Sequence, residues 1–179
     1  MKIITDVQQA IDRMAEKGYQ PTAESRDALR AYKAGYNLWL SGQVGTGKTE
    51  FFKNAPWNIP DTGDSNRPRR IIVDMATEFY GMSQDGILEF LHENRINEIV
   101  LDDVGNEGTI NEYGNRREIL PFILSKRMNV KPCTHITTNR DEQYFVSRYG
   151  YGFFDRLQAF AYQVKFIGES RRILKPHLV

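Results

Sequence analysis

The sequence predicts an α/β fold: a three-layer sandwich around a mainly parallel five-stranded sheet. Three observations predict it. Five short apolar runs suit buried strands, helical patterns separate one run from the next, and a glycine-rich loop with one lysine follows the first run. Strands that alternate with helices need crossover connections, and crossovers give parallel pairing with helices on both faces.

The elements are justified in turn. Val7, Ile11 and Met14 recur at helical spacing behind Thr5 and Asp6 as candidate N-caps, and Gly18 can end that helix. "ESRDALRAYKAG" offers a second short helix, from about Glu24 to Lys33, closed by Gly35. The strand runs are "NLWL" (37–40), "RIIVDM" (70–75), "EIVLDD" (98–103), "THITT" (134–138) and "YQVKFI" (162–167). Helical patterns cover 48–54, 84–95, 114–128 and 141–159, the last with a break near Gly150 and Gly152. The polar segment "NIPDTGDSNRPRR" (58–70) reads as a loop within one domain.

Bulk properties agree. A chain of 179 residues suits one domain with one core, and 40% hydrophobic with 26% charged residues is an ordinary globular balance. The net charge of +1 favours no polyanionic partner, so any basic patch has to be local. The single cysteine, Cys133, excludes an internal disulfide and a multi-cysteine zinc site, and suits a reducing compartment. The opening "MKIITDVQQAIDRMAEKG" carries charge too early for a secretory signal, and no stretch approaches the ~18 apolar residues of a membrane span. A cytoplasmic protein with no membrane partner is expected.

Residues 42–49 read Gly42-Gln43-Val44-Gly45-Thr46-Gly47-Lys48-Thr49, a full G-x-x-x-x-G-K-T between a strand and a helix. Glycines let backbone N–H groups turn inward around phosphate oxygens, and the following helix adds its positive end. Lys48 is expected on the β- and γ-phosphates, the Thr49 hydroxyl on Mg²⁺, and Glu50 beside them in the nucleotide-binding set. ATP and Mg²⁺ are the expected ligands.

"EIVLDDVGNEG" places Asp102 and Asp103 where an apolar strand ends, the edge that faces the ligand crevice in a parallel sheet. Asp102 suits the Mg²⁺ shell, Asp103 suits orienting or deprotonating an attacking water, and Glu107 is the weaker candidate for that base. Asn139 ends the next apolar run at the same sheet edge, where its amide can hold that water near the γ-phosphate. "DDVG" also fits a GTPase switch, but the guanine-reading N-K-x-D is not matched by "NRDE" (139–142). A small-molecule kinase sharing the loop is argued against by the paired aspartates followed by Asn139. A module that binds ATP without turnover is the remaining alternative.

Together "SGQVGTGKT", "LDDVGNE", "TTN", "RYGYGFFDRL" and "GESRR" resemble the AAA+ P-loop ATPases, specifically the DnaC/IstB group of helicase loaders and transposition helpers. The resemblance runs over about residues 36–172. It implies an AAA+ core over 36–179 preceded by a short helical extension over 1–35, with no separate helical lid. It implies that Asn139 is sensor 1, that Arg156 is the arginine finger completing a neighbouring subunit's site, and that Arg172 is the sensor-2 arginine. Arg171 beside it could serve instead. By the same resemblance, partners would be further copies of the chain or a partner ATPase or helicase ring. Hydrolysis would depend on assembly, and the task would lie in DNA replication or transposition. The family box often has a second arginine where this chain has Gly152, and the N-terminal helicase-binding domain of full-length loaders is missing or reduced to two helices.

Three stretches could meet single-stranded DNA: Arg67, Arg69 and Arg70; Phe79 and Tyr80; and Arg116, Arg117, Lys126 and Arg127. For each alone, a packed aromatic or a solvated charge is the blander expectation. His135, inside a strand run, is expected to be packed and not a ligand.

Overall fold

A computed structural model describes residues 6–55, 70–112, 114–128 and 133–171. In chain order the elements are α1 (Val7–Glu16), α2 (Ala23–Lys33), β1 (Asn37–Gly42), α3 (Lys48–Asn54), β2 (Arg70–Asp74), α4 (Met75–Glu78), α5 (Gln84–Glu93), β3 (Glu98–Val104), β4 (Thr109–Glu112), β5 (Asn115–Glu118), α6 (Ile119–Arg127), β6 (Thr134–Thr138), α7 (Glu142–Tyr149), α8 (Tyr151–Phe160) and β7 (Ala161–Phe166).

Five strands form one sheet in the order β2-β3-β6-β1-β7, every neighbour parallel. Because side chains alternate across a strand, successive residues feed two separate cores. Trp39, Val73, Ile99, Leu101 and Ile136 enter one, under α4 to α8. Leu38, Leu40, Val100, Val164 and Phe166 enter the other, under α1 to α3. Each fully buried large side chain contributes about 1.5–3 kcal/mol, so this double burial sets the register. Trp39 fixes α7 and α8 against the sheet, with edge-on contacts to Phe145 at 5.3 Å and Phe154 at 5.9 Å. The expected three-layer α/β fold around a parallel five-stranded sheet is therefore the one observed.

The second helix begins one residue earlier than expected. Thr22 and Ser25 form a reciprocal capping box at its start, each side-chain oxygen accepting from the other's backbone N–H at 3.3 Å. The first two helices share the core of β1 and β7, with Ile11, Met14, Ala28 and Leu29 buried there.

Two expectations are corrected. Met75 ends no strand; it opens the short helix α4, which Asp74 caps by accepting the Ala76 N–H at 2.9 Å. The helix expected over 114–128 starts only at Ile119, because 109–118 form an antiparallel hairpin, with Glu112 opposite Asn115. A two-residue turn of this kind needs positive φ, and Gly114 supplies it at +79°. Ile110, 2% exposed, pins the hairpin to the core.

Candidate functional site

The phosphate loop lies at the carboxyl end of β1, where the chain turns toward β2 on one side while β6 leads to β7 on the other. Such reversals of strand order open a crevice in parallel sheets. Here the crevice is a cleft of about 690 Å³ whose floor carries Lys48, Thr49, Asp102, Asp103, Thr137 and Asn139. Lys17, Tyr19, Gln20 and Arg171 line it as well, from the α1–α2 connection and the segment after β7.

Gly42 is held by close approach. A side chain there would bring Cβ to 2.1 Å from the backbone oxygen of Phe166 on β7, and its φ is +140°. Only glycine lets the loop leave β1 this close to its neighbour. Further along, Lys48 is buried, and its ammonium donates to the carbonyls of Gly42 (2.9 Å) and Gln43 (2.7 Å) and to Asn139 Oδ1 (2.7 Å). The Thr46 hydroxyl donates to the Gln43 carbonyl at 2.9 Å. Gly45, Gly47, Val44 and Glu50 line the same cleft, Glu50 also pairing with Lys53 at 2.9 Å.

The acidic strand end is a bulge. The register of β3 against β6 shifts between Leu101 and Val104, and within that shift Asp103 takes φ of +55°, unlike every other non-glycine residue described. Both aspartates then face the loop. Asp102 accepts from the Thr49 hydroxyl at 2.8 Å and from the Thr137 hydroxyl at 2.5 Å. Thr137 in turn accepts the Asp103 N–H at 3.0 Å. Asn139 donates to Asp103 Oδ1 at 2.5 Å while it accepts from Lys48. A continuous hydrogen-bonded circuit results, running from Lys48 through Asn139, Asp103, Thr137 and Asp102 to Thr49, the next residue after Lys48 in the chain.

Chemically, the circuit offers one cation to phosphate oxygens, a hydroxyl with a carboxylate, and a second carboxylate next to an amide. The hydroxyl–carboxylate pair of Thr49 and Asp102 fits Mg²⁺, which binds through one or two protein oxygens and takes the rest of its shell from phosphate and water. When bound, that ion would draw negative charge from the phosphates.

Other expected site residues lie elsewhere. Glu107, the weaker candidate base, is 3% exposed and lines no part of the cleft. Its carboxylate accepts the Gly105 N–H at 2.7 Å and the Tyr149 hydroxyl, and Arg148 lies 3.6 Å away, so it braces a loop. Burial, together with Glu107, raises the Tyr149 phenol above its ordinary value. Arg156 is exposed on α8, away from its own cleft, with its guanidinium donating to the Gly152 carbonyl at 3.1 Å. Arg172 lies outside the described residues, whereas Arg171 lines the cleft and anchors to the Gln20 carbonyl at 2.8 Å. The roles of Thr137 and of the turn at 17–20 were not legible. "KGYQ" reads as a helix stop, and Thr137 as one hydroxyl in a strand.

The candidate DNA residues divide. Phe79 is fully buried, Arg127 donates to Thr134 and to the Asn97 carbonyl, and Arg70 pairs with Glu98 at 2.7 Å. These three are structural. Tyr80, 80% exposed, and Arg116, Arg117 and Lys126 reach the surface. Arg67 and Arg69 lie outside the described residues. His135 is buried, as expected, and its Nδ1 accepts the Leu38 N–H at 2.9 Å.

No protein-family model matches the chain, and no curated protein matches it. Among solved structures, it is similar to a closed-state reconstruction of Hsp104 with ATPγS and casein: 12% identity, 89% of this chain, 36% of that one, TM-score 0.46. It is also similar to NtrX from Brucella abortus: 13% identity, 92% of this chain, 42% of that one, TM-score 0.49. The chain thus spans well under half the length of either. Likenesses at this level carry no argument about activity, and the P-loop architecture stands on the chain's own geometry. Among the described residues, no helix is long and apolar enough to cross a membrane.

Proposed function

We propose that the protein binds Mg²⁺–ATP and hydrolyses it as an AAA+ core of the DnaC/IstB type, acting in DNA replication or transposition by nucleotide-dependent assembly. The observation that carries the ATPase reading is the circuit of Lys48, Asn139, Asp103, Thr137, Asp102 and Thr49 at the mouth of a phosphate loop.

In this mechanism Lys48 leaves its loop carbonyls for the β- and γ-phosphates. Asp103 accepts a proton from the attacking water as its oxygen bonds to the γ-phosphorus and the bond to ADP breaks. Asn139 links the lysine to that carboxylate, so it registers whether the γ-phosphate is present. Arg156 faces outward and would neutralise transferring charge only in a neighbouring subunit's site, an effect of ~10³–10⁵ in rate for such fingers. Assembly and hydrolysis are thereby tied.

The test is ATP turnover against protein concentration, with and without single-stranded DNA, in wild type and Arg156→Ala. Turnover that rises faster than linearly, responds to DNA and collapses in the variant supports the full reading. Linear turnover that ignores DNA and survives Arg156→Ala removes the finger and the assembly. Tight ATP binding with no turnover in any state leaves a binding module.

A further inference from the structure

We propose that one face of α7 aims the catalytic carboxylate: Arg148 and Tyr144, with Arg140 just ahead of the helix, hold residues 103–107 so that Asp103 points into the cleft. The proposal rests on the ATPase reading and names positioning residues for it, since neither Arg148 nor Tyr144 lines the cleft.

Tyr144 and Arg148, spaced by four within α7, share one face of the helix, and Arg140 reaches the same loop from just ahead of the N-cap Asp141. Arg148 donates to the Gly105 carbonyl at 2.9 Å and to the Glu107 carbonyl at 2.6 Å. Tyr144 donates to the same Gly105 carbonyl at 2.6 Å and accepts from Arg148 at 2.8 Å. Arg140 donates to Asn106 Oδ1 at 2.7 Å, and Asn106 donates to Asp103 Oδ2 at 2.6 Å. Glu107 closes the turn from within, between the Gly105 N–H and the Tyr149 hydroxyl.

The backbone of Asp103 supplies the second strand of support. A non-glycine residue at φ of +55° costs energy and persists only where its surroundings over-determine it. Thr137 and Asn139 fix it from the sheet side, and the α7 face fixes the chain just beyond it. Glu118, at the base of the hairpin, accepts from Arg148 Nε and pairs with its Nη2, both at 2.9 Å, and Nη2 is also the nitrogen that donates to the Glu107 carbonyl. The amide of Glu118→Gln keeps an acceptor for Arg148, so that substitution removes a charge while leaving the guanidinium held.

A displacement of about 1 Å at a reacting group can cost ~10²-fold in rate.

The experiment compares Arg148→Gln, Tyr144→Phe and Glu118→Gln with wild type, by turnover at saturating ATP, by affinity for a fluorescent ATP analogue, and by amide hydrogen exchange. Arg148→Gln is expected to lower kcat ~10- to 100-fold with nucleotide affinity within about twofold. Exchange at 104–107 should accelerate roughly tenfold while the 42–49 loop is unchanged. Tyr144→Phe, which removes one hydroxyl and spares the fold, should show the same pattern at smaller size, and Glu118→Gln should change neither kcat nor loop exchange. Unchanged exchange at 104–107 in both Arg148→Gln and Tyr144→Phe overturns the proposal. So does recovery of Arg148→Gln turnover on mixing with Lys48→Ala subunits, because a positioning residue acts only within its own chain. If wild type shows no turnover, the ATPase reading falls, and loop exchange still decides whether α7 holds Asp103.

Discussion

The two ends of the sheet use similar side chains to opposite effect. At the amino ends of the strands, Glu98 accepts from Tyr32 (2.9 Å) and Arg70 (2.7 Å) with His135 at 3.4 Å, and Glu98 and His135 are almost fully buried. Both carboxylate oxygens of Glu98 are answered by a donor, and none of these residues lines the phosphate-loop cleft. At the carboxyl ends, Asp102, Asp103, Asn139 and Lys48 are linked just as closely, but they border an open cleft. A closed cluster holds strands together. An open one can exchange its internal partners for a ligand's oxygens, and that is the difference between a structural and a functional polar network.

Substitutions at each end should therefore separate stability from turnover. The largest expected effect is Asp103→Asn, which removes the proposed base and should lower kcat ~10²–10⁴-fold with ATP affinity nearly intact, read by phosphate release. At the opposite end, Glu98→Ala leaves Arg70 buried without its carboxylate and should cost about 3–5 kcal/mol in urea denaturation, while ATP affinity of the folded protein is retained. If Glu98→Ala instead weakened ATP binding at full stability, the contrast between the two ends would be broken. A smaller effect is expected for Thr49→Ala: about tenfold weaker binding of Mg²⁺–ATP, near the ~1.5 kcal/mol of one hydrogen bond, with little change for ATP in excess chelator, measured by calorimetry.

The mildest test is pH. Burial lowers His135 below its ordinary 6.5, although Glu98 opposes this, so the unfolded chain takes up that proton first and stability falls as pH drops below about 6.5. Glu98 would be raised by burial, but His135 and Arg70 hold it at about 2 instead of 4.5, so a second loss falls between those values. Melting temperature followed from pH 8 to pH 3 should show both declines, and His135→Gln should remove the first and shrink the second, which Arg70 then sustains alone.

How much of this was legible follows physical range. The phosphate loop and the strands are local patterns: 42–49 and the break at Gly150 stand where the sequence puts them, and each of the five runs forms a strand with ends shifted by at most a few residues, Met75 passing to α4. The hairpin was not legible, because Ile119, Leu120, Ile123 and Leu124 have helical spacing and "NRRE" reads as their charged first turn. Only the pairing of Ile110 with Arg117 across the hairpin decides otherwise, and pairing is not a local signal. The partnership of Arg148 with Glu107 was not legible for a related reason. An arginine on a helix and a glutamate after an acidic strand acquire their roles by meeting each other across 41 positions.

The phosphate loop also has a consequence for how the protein is made. Residues 42–49 precede both partners of their strand in the chain, since among the described strands β1 pairs with β6 and β7. The position that Gly42 leaves vacant belongs to Phe166, and the Gly45 carbonyl is taken by the Arg171 N–H at 2.9 Å. During synthesis the loop thus waits for more than a hundred later residues, and pairings of such long sequence separation form slowly. A chain truncated before β7 is therefore expected to lose nucleotide binding, read with a fluorescent ATP analogue.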